Sequence, residues 1–339
     1  MKQRNKLFNL LAAVVIVGSH TACTYTEQQK AEVAQTDSCT IVNPVITTRY
    51  SADPAARVFN DTLYLYPSHD RDEAQWWDME DYYVYSTVDL CHYKDEGLVF
   101  EPFKQTKWAK KYAWAPDCIE YNGKYYLYYP TDQDHIGVAI GNSPTGPFKD
   151  PLGKPLVSRN SPGISAPRDF IDPTAFIDDD GTPYLLVGQN ALNIIRLNKD
   201  MISYDAKPVV LDKKKDLPHF FEGIWIHKYH KKYYLSYSDG KGISYAMGDS
   251  IYGPYTYKGQ ILGAVSSGTN HMSIVEYKGG WYMFYHDSSR SLSKIPADSP
   301  DRKFVQWRRS VCVAPLYYNE DGTIKPVEMK STFKIAIGK

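Results

Sequence analysis

The sequence predicts an all-β fold, a five-bladed β-propeller, from a repeated motif, its period and the composition of its strands. The motif is a polar residue marked by a neighbouring Pro, Gly or His, followed by an apolar run, a tight turn and a Tyr-rich strand. It occurs five times, and the central residues of its Tyr-rich strands are Leu65, Leu127, Leu185, Leu235 and Met283. These residues are 62, 58, 50 and 48 positions apart. Such a period suits four-stranded blades around an axis.

Composition supports strands over helices. Aromatic residues make up 14% of the 339 residues and include 29 Tyr, and the runs between Gly and Pro are short and rich in β-branched or aromatic side chains. No amphipathic helix is evident. Without the N-terminal segment, roughly 300 residues remain, or about 60 for each blade, which fits one all-β domain. The tail from Val311 to Ile335 is predicted to close the ring against the strand that precedes Asp53.

Each repeat begins with a polar residue that we call its head residue. In a propeller, the first strand of each blade lines the central channel. If each head residue opens that strand, the five side chains converge at one mouth of the channel, an arrangement that stability does not require. The head residues are Asp53, Asp117, Asp172, Glu222 and His271.

The N-terminus predicts export. Residues 1–22 read as a signal peptide, because basic residues precede a short apolar segment, Leu7 to Gly18. Ser19-His20-Thr21-Ala22-Cys23 resembles the lipobox of bacterial lipoproteins, although His20 replaces the usual Leu. A lipid anchor at Cys23, a polar tether over 23–40 and a propeller over 41–339 are therefore expected, in the periplasm or at the outer membrane. The alternative is ordinary cleavage, with Cys23 merely downstream.

The remaining cysteines and the charge carry less information. Cys39, Cys91, Cys118 and Cys312 are too widely spaced for a CxxC metal pair or a small disulfide framework. Cys118 and Cys312 lie in apolar strands and are predicted to be buried free thiols. The formal net charge is +0 and no basic stripe is present, so a small neutral ligand is favoured over nucleic acid.

Three of the head carboxylates suit glycosidic bond cleavage. That reaction needs a protonated acid at the leaving oxygen and an ionised carboxylate across the sugar. A third carboxylate can raise the pKa of the acid by like-charge repulsion. An isolated Asp-Pro pair often only begins a turn, but Asp53, Asp172 and Glu222 occupy equivalent repeat positions, which favours a glycosidase site.

The motifs around these residues resemble those of family-43 glycoside hydrolases, from Asn43 to Pro326. They are Ser51-Ala52-Asp53-Pro54, Trp114-Ala115-Pro116-Asp117, Ile171-Asp172-Pro173-Thr174, Phe221-Glu222-Gly223 and His271 with Ser273-Ile274-Val275.

The resemblance implies a five-bladed propeller that hydrolyses glycosides with inversion. It makes Asp53 the general base, Glu222 the general acid and Asp172 the carboxylate that tunes the acid. A terminal pentose would be released from xylo- or arabino-oligosaccharides of plant polysaccharides. β-Xylosidase activity is favoured over α-L-arabinofuranosidase or arabinanase activity, and a non-catalytic sugar-binding propeller is the alternative of another class.

The resemblance also implies supporting roles. His271 would hold a calcium ion or a water in the channel, or else be a hydrogen-bonded core histidine. Trp114 would be an apolar wall for a sugar face, or core packing. Arg309 would reach a sugar hydroxyl, or be a solvated strand charge. Asp117 is interpreted as supporting structure.

The long insertion of the first blade carries two aromatic pairs, Trp76-Trp77 and Tyr82-Tyr83. They would rim the pocket and favour exo action, or the insertion would be a capping loop.

Overall fold

The strands form five blades around a central axis, which confirms the predicted propeller. The computed structural model describes residues 38–336, and within this range the chain forms twenty-one strands and three short helices. Every blade is antiparallel and follows chain order from its first strand outward. Four blades have four strands, and the fifth has three.

The blades follow one another along the chain. The first contains β2 (Tyr50–Phe59), β3 (Thr62–Asp70), β4 (Tyr82–Thr87) and β5 (Lys94–Phe100). The second contains β6 (Asp117–Tyr121), β7 (Lys124–Thr131), β8 (His135–Gly141) and β9 (Val157–Ser158). The third contains β10 (Thr174–Ile177), β11 (Pro183–Val187), β12 (Asn193–Arg196) and β13 (Val209–Val210).

The fourth blade contains β14 (Glu222–Tyr229), β15 (Lys232–Ser238), β16 (Ile243–Gly248) and β17 (Tyr255–Leu262). The fifth contains β18 (Met272–Tyr277), β19 (Gly280–Asp287) and β20 (Ser310–Leu316). Outside the blades, β1 (Ser38–Val42) pairs with β21 (Thr332–Ala336). The helices are α1 (Pro102–Gln105), α2 (Ser289–Lys294) and a 3₁₀ helix (Pro300–Trp307).

The Tyr-rich strands are buried second strands of the blades. In the second blade, Leu127 has no exposed surface, because β7 lies between β6 and β8 and its faces pack against neighbouring blades. The hairpin between β6 and β7 turns at Asn122 and Gly123, whose φ angles are 51° and 74°. Two positive φ angles match the right-handed twist of a hairpin, which explains the Asn-Gly pair.

The head residues lie at the starts of the innermost strands. Asp117 and Glu222 are the first residues of β6 and β14, and Asp172 and His271 stand within two residues of the starts of β10 and β18. Asp53 lies in the first half of β2. The repeat therefore located the channel-facing end of all five blades.

Asp117 links the blades and takes no part in the candidate site. It accepts bonds from Arg57 Nε (2.9 Å) and from the backbone N–H of Ala175 (2.7 Å). The Arg57 guanidinium also lies 4.3 Å from the ring centre of Trp225, whose Nε1 donates to the carbonyl of Ile274 at 2.8 Å. These residues come from the innermost strands of all five blades, so the network joins the whole ring.

The ring closes at the free edge of β20, as predicted. The Asn43 side chain donates to Val313 O (2.8 Å) and accepts from Val313 N (2.9 Å). The backbone N–H of Val45 donates to Val311 O at 2.8 Å. The chain before β2 therefore covers the edge of the fifth blade, while β1 pairs with β21 in the tail.

The cysteine expectations need one correction. Cys39 and Cys91 form a disulfide across 52 positions, which joins β1 to the loop after β4. Spacing gave no sign of this bond, because it depends on the packing of β1 against the first blade. Cys118 and Cys312 are buried free thiols, as predicted.

The predicted signal peptide (1–22), Cys23 and most of the tether (23–40) lie outside the described residues, as do 337–339. The last three tether residues, 38–40, are ordered in β1. Within residues 38–336 no helix has the length and apolar character needed to cross a membrane.

Candidate active site

A cavity of about 380 Å³ occupies one mouth of the central channel, and we call it the main cavity. Four of the five head residues line it together with two further predicted residues: Asp53, Asp172, Glu222, His271, Trp114 and Arg309. Asp117 is the head residue that does not line it. The volume of the main cavity falls within the range of roughly 300–1,000 Å³ that is typical of ligand pockets.

Asp53 is buried, and each of its carboxylate oxygens accepts a hydrogen bond. It is 8% exposed, its Oδ1 accepts from Arg309 Nη1 at 2.9 Å, and its Oδ2 accepts from Ser68 Oγ at 2.7 Å. Burial opposes ionisation of Asp53, but Arg309 and His271 outweigh it and hold its pKa well below its usual range. Asp53 is therefore an ionised carboxylate.

His286 fixes the backbone of Asp53 and is neutral. Its Nδ1 accepts from the Asp53 N–H at 2.9 Å, so the ring proton lies on Nε2, which is 2.9 Å from the carbonyl oxygen of Thr269. Burial and the adjacent Arg309 charge lower the pKa of His286 to about 3. The neutral ring lets a donor and an acceptor be satisfied at once.

Arg309 is the cation that sets the state of Asp53. Its Nε and Nη2 donate to the two carboxylate oxygens of Asp70 at 2.9 and 2.8 Å. Its Nη1 donates to Asp53 and to Thr269 Oγ1, both at 2.9 Å. With only 2% of its side chain exposed, Arg309 is not the solvated strand charge that was one alternative. Its three nitrogens are bonded to protein, so its direct role is to support Asp53, and contact with a sugar hydroxyl stays a prediction.

Glu222 has the opposite environment. It is 9% exposed, and its Oε2 accepts from the neutral side-chain amide of Gln189 at 2.6 Å. Burial, the nearby Asp172 and Asp53 raise the pKa of Glu222 well above its ordinary 4.5. Glu222 therefore keeps its proton at pH values at which an exposed glutamate is ionised.

Asp172 stands beside Glu222. Its Oδ2 accepts at 2.9 Å from the backbone N–H of Gly223, the residue after Glu222. Burial raises the pKa of Asp172, and the charge of Asp53 adds to that rise against the opposing effect of His271. Gly223 has a φ of 63°, and a Cβ there would lie 3.1 Å from the His271 ring. Both features favour glycine at this position.

Aromatic residues form one side of the main cavity. Trp114 lines it, and its Nε1 donates to the carbonyl of Trp77 at 2.7 Å. Trp76 and Trp77, in the insertion between β3 and β4, line it too, and Trp77 packs edge-on against Trp307 at 5.9 Å between ring centres.

The insertion therefore rims the cavity, as one of the two alternatives held. The other aromatic pair does not. Tyr82 and Tyr83 begin β4, and Tyr82 is 1% exposed with its hydroxyl bonded to the carbonyl of Trp114.

Several residues that complete the site were not found from the sequence. Asp70 ends β3 and His286 lies in β19, which are the Tyr-rich strands of the first and fifth repeats, but the motif did not single out either residue. Gln189 follows β11 without any marker. His286 had one signal, because it is a polar residue directly after the Tyr-rich run of the fifth repeat. Gln189 and Asp70 act through long-range contacts that the local sequence does not show.

Comparison with known proteins identifies the family of this chain. The family model described as glycosyl hydrolases family 43 matches residues 41–324. The chain belongs to glycosyl hydrolase family 43. It is therefore a glycosidase that hydrolyses O-glycosyl bonds, and its propeller is the fold of the solved family-43 structures that it resembles.

Two relatives are similar over nearly their whole length. A β-xylosidase of Xylanibacter ruminicola is 36% identical, covering 84% of this chain and 98% of the relative. A xylosidase/arabinosidase of Bacteroides ovatus is also 36% identical, covering 83% and 96%.

Solved structures of family-43 enzymes are also similar to this chain. A β-xylosidase/α-arabinofuranosidase from a compost metagenome, in complex with xylotriose and calcium-free, superposes with a TM-score of 0.72 at 35% identity over 84% of this chain and 96% of that one. An α-L-arabinofuranosidase from Clostridium thermocellum has a TM-score of 0.70 at 40% identity over 85% and 97%.

The donor set around His271 does not suit a calcium ion held by protein. Ca²⁺ takes six to eight oxygen ligands, whereas residues 38–336 contain no group of three or more His, Cys, Asp or Glu side chains arranged to hold a metal. The His271 Nδ1 lies 3.7 Å from Asp53 Oδ1. Burial lowers the pKa of His271, but Asp53 and Asp172 outweigh it, so the net shift is upward. We therefore derive no step through calcium.

The environment of Glu222 predicts a pH-dependent stability difference for this family-43 enzyme. A pKa raised in the folded state contributes stability below pH 4.5 that is lost as the pH rises through the folded value. The Glu222→Gln side chain cannot ionise. Between pH 4.5 and the folded-state pKa of Glu222, the free energy of unfolding of the variant minus that of wild type should therefore increase by up to about 1.4 kcal/mol per pH unit. Denaturation of both proteins from pH 4 upward measures this, and a pH-independent difference would contradict the buried acid.

Proposed function

We propose that this enzyme is an inverting exo-glycosidase that releases a terminal pentose, with β-D-xylosidase activity, from xylo-oligosaccharide fragments of plant polysaccharide. The observation that carries the proposal is the contrast between two carboxyl groups in one cavity, ionised Asp53 and protonated Glu222. Hydrolysis of a glycoside needs this pair of states at one pH.

In the proposed mechanism, Asp53 is the general base and Glu222 the general acid. Asp53 takes a proton from a water molecule as that water attacks the anomeric carbon. Glu222 gives its proton to the glycosidic oxygen as the bond to the anomeric carbon breaks, so the leaving saccharide departs as an alcohol. Asp172 raises the pKa of the acid and holds the backbone beside it through Gly223. Arg309 keeps Asp53 ionised.

The shape of the main cavity supports release of a terminal sugar. Trp76 and Trp77 stand at one side, and Trp114, fixed by its bond to Trp77, offers an apolar face beside the carboxylates. Sugar rings present C–H faces that pack against aromatic rings. A wall at one side turns an open groove into a pocket that holds the end of a chain.

The pentose itself is proposed from the relatives. Those that cover most of this chain are named β-xylosidase and xylosidase/arabinosidase, and two neighbouring structures hold xylotriose. The arabinofuranosidase at 40% identity supports α-L-arabinofuranosidase activity as the second candidate. Release of nitrophenol from β-D-xylopyranoside, α-L-arabinofuranoside and hexoside substrates distinguishes them.

Loss of the acid should depend on the leaving group. Glu222→Gln keeps the shape of the side chain but has no proton to give, so hydrolysis of xylobiose should fall by about 10²–10⁴. An aryl xyloside with an acidic phenol should lose less. Glu276→Gln, the same change at an exposed residue of β18, is the control and should match wild type. Unchanged xylobiose hydrolysis by Glu222→Gln would remove Glu222 from this role.

The separate roles of Asp53 and Glu222 predict the stereochemistry. If Asp53 activates water, the attack occurs opposite the leaving group and the anomeric centre inverts. Proton NMR of a fresh reaction should therefore show α-xylose first from a β-xyloside, before mutarotation. Initial appearance of β-xylose would make Asp53 a nucleophile. Inversion also requires the two carboxyl groups to stand about 6.5–9.5 Å apart, against about 5 Å for retention.

Calcium is the cofactor that the family resemblance implies, bound near His271. Because no three His, Cys, Asp or Glu side chains within residues 38–336 are arranged to hold a metal, we expect EDTA to leave the thermal midpoint and the turnover unchanged. A loss that added Ca²⁺ restores would show that the ion is held through water. A ligand that binds only the folded state raises the midpoint by mass action.

We propose export, with a lipid at Cys23. The disulfide between Cys39 and Cys91 supports export, because such bonds persist in oxidising compartments. Mass spectrometry of the protein from membranes should find a diacylated Cys23, and Cys23→Ala should move the enzyme to the soluble fraction. An unmodified N-terminus would favour ordinary cleavage instead.

A further inference from the structure

A three-residue segment after β11, from Gly188 to Asn190, contacts the residues that precede two of the head carboxylates. The Gly188 N–H donates to the carbonyl of Ile171 at 2.9 Å, one position before the head residue of the third blade. The Asn190 N–H donates to the carbonyl of Phe221 at 2.7 Å, one position before the head residue of the fourth blade. The middle residue, Gln189, is therefore held on a backbone that is fixed on both sides.

A backbone group sets the orientation of the Gln189 side chain. Gln189 is 4% exposed, and its Oε1 accepts from the N–H of Asp169 at 3.2 Å. Since the amide oxygen is occupied there, the amide nitrogen faces Glu222 and donates to Oε2 of that residue at 2.6 Å. The amide thus presents a donor, and not an acceptor, to the carboxyl group.

A donor at one oxygen determines where the proton of a neutral carboxyl group lies. The carbonyl oxygen of a carboxylic acid accepts a hydrogen bond better than its hydroxyl oxygen, which donates its own hydrogen elsewhere. An N–H aimed at Oε2 of Glu222 therefore favours the carbonyl at Oε2 and the hydroxyl at Oε1. The hydroxyl is then available to the main cavity, which Glu222 lines.

We propose that Gln189 is a positioning residue that keeps the transferable proton of Glu222 on Oε1, an inference that rests on the proposed role of Glu222 as general acid. Without the amide, the neutral carboxyl group would carry its proton on either oxygen. Only the form with the proton on Oε1 is ready to protonate the glycosidic oxygen. Gln189 acts through Glu222 and takes no part in bond breaking itself.

Gln189 also opposes the groups that keep Glu222 protonated. Burial and the charges of Asp172 and Asp53 raise the pKa of Glu222. The bond from Gln189 and the charge of His271 lower that pKa, because an N–H donor stabilises the ionised form more than the neutral one. Removal of the amide should therefore move the alkaline limb of kcat/KM to higher pH. A residue that only maintained the shape of the cavity would change the rate without this shift.

Gln189→Met removes the amide at similar length, and Gln105→Met is its matched control. The Gln105 amide also accepts from a backbone N–H, that of Glu101 at 2.6 Å, but it is exposed in α1. For Gln189→Met, kcat for xylobiose should fall about tenfold to a hundredfold. An aryl xyloside with an acidic phenol should lose less, and the alkaline limb should move to higher pH. Gln105→Met should match wild type, and an alkaline limb of Gln189→Met that stayed or moved to lower pH would overturn the proposal.

A second variant reverses the polarity of the contact. Gln189→Glu keeps the length of the side chain and an oxygen for the Asp169 N–H, but it puts a carboxylate oxygen opposite Oε2 of Glu222. That acceptor draws the proton to Oε2, so kcat for xylobiose should fall further than in Gln189→Met. If Gln189 only filled space, Gln189→Glu would be the more active of the two. That ranking, or a wild-type kcat for Gln189→Glu even where circular dichroism shows Gln189→Met to be unfolded, would overturn the proposal.

Infrared spectroscopy separates this assignment from the proposed function. The C=O band of the neutral Glu222 carboxyl group is the band that Glu222→Gln removes. Because a hydrogen bond to a carbonyl lowers its stretching frequency, this band should move to higher wavenumber in Gln189→Met. A band that stayed in place would overturn the assignment of the proton to Oε1, even in an enzyme that hydrolyses xylobiose. A band that moved in an enzyme without pentosidase activity would support the assignment and overturn only the proposed function.

Discussion

The buried ion pair of Arg309 with two aspartates of the first blade is the interaction on which the rest depends. Arg309 directly precedes β20 in the last blade, whereas Asp70 ends β3 and Asp53 lies in β2. One side chain therefore joins the ends of the ring and fixes the ionised carboxylate. Breaking a buried pair costs about 3–5 kcal/mol, because it leaves an uncompensated charge. Closure of the propeller and the charge of the site are thus coupled.

Glu222 has the opposite protonation state because Arg309 bonds to Asp53, whereas the partner of Glu222 is the neutral amide of Gln189. Arg309 directly contacts Asp53, while Glu222 receives only the neutral Gln189 amide and stands near the carboxylates of Asp172 and Asp53. Burial acts on both groups in the same direction. Neighbouring charge, rather than exposure, therefore decides which carboxyl is ionised, and a propeller can combine both states by supplying different partners from different blades.

The sequence predicted the features that repeat and missed those that do not. The period located the blades, and the head positions brought Asp53, Asp172 and Glu222 to one cavity. The roles of Asp70 and Gln189, and the Cys39–Cys91 disulfide, depend on contacts between distant segments. Two alternatives were open for Tyr82 and Tyr83, at the rim or in a capping loop, and the structure places both in β4, since an aromatic pair serves a strand as well as a cavity wall.

The backbone at the head residues shows how the repeat was adapted to chemistry. Asp53 and Asp172 have φ angles of 48° and 58°, a left-handed region that Asp tolerates better than most residues. The pairing of β2 is irregular between Ala52 and Ala55, and that of β14 between Glu222 and Trp225. Bulges re-aim side chains and are common beside active sites. The strands that carry Asp53 and Glu222 leave regular pairing at those residues, so part of the sheet's hydrogen bonding is replaced by the bonds that orient these side chains.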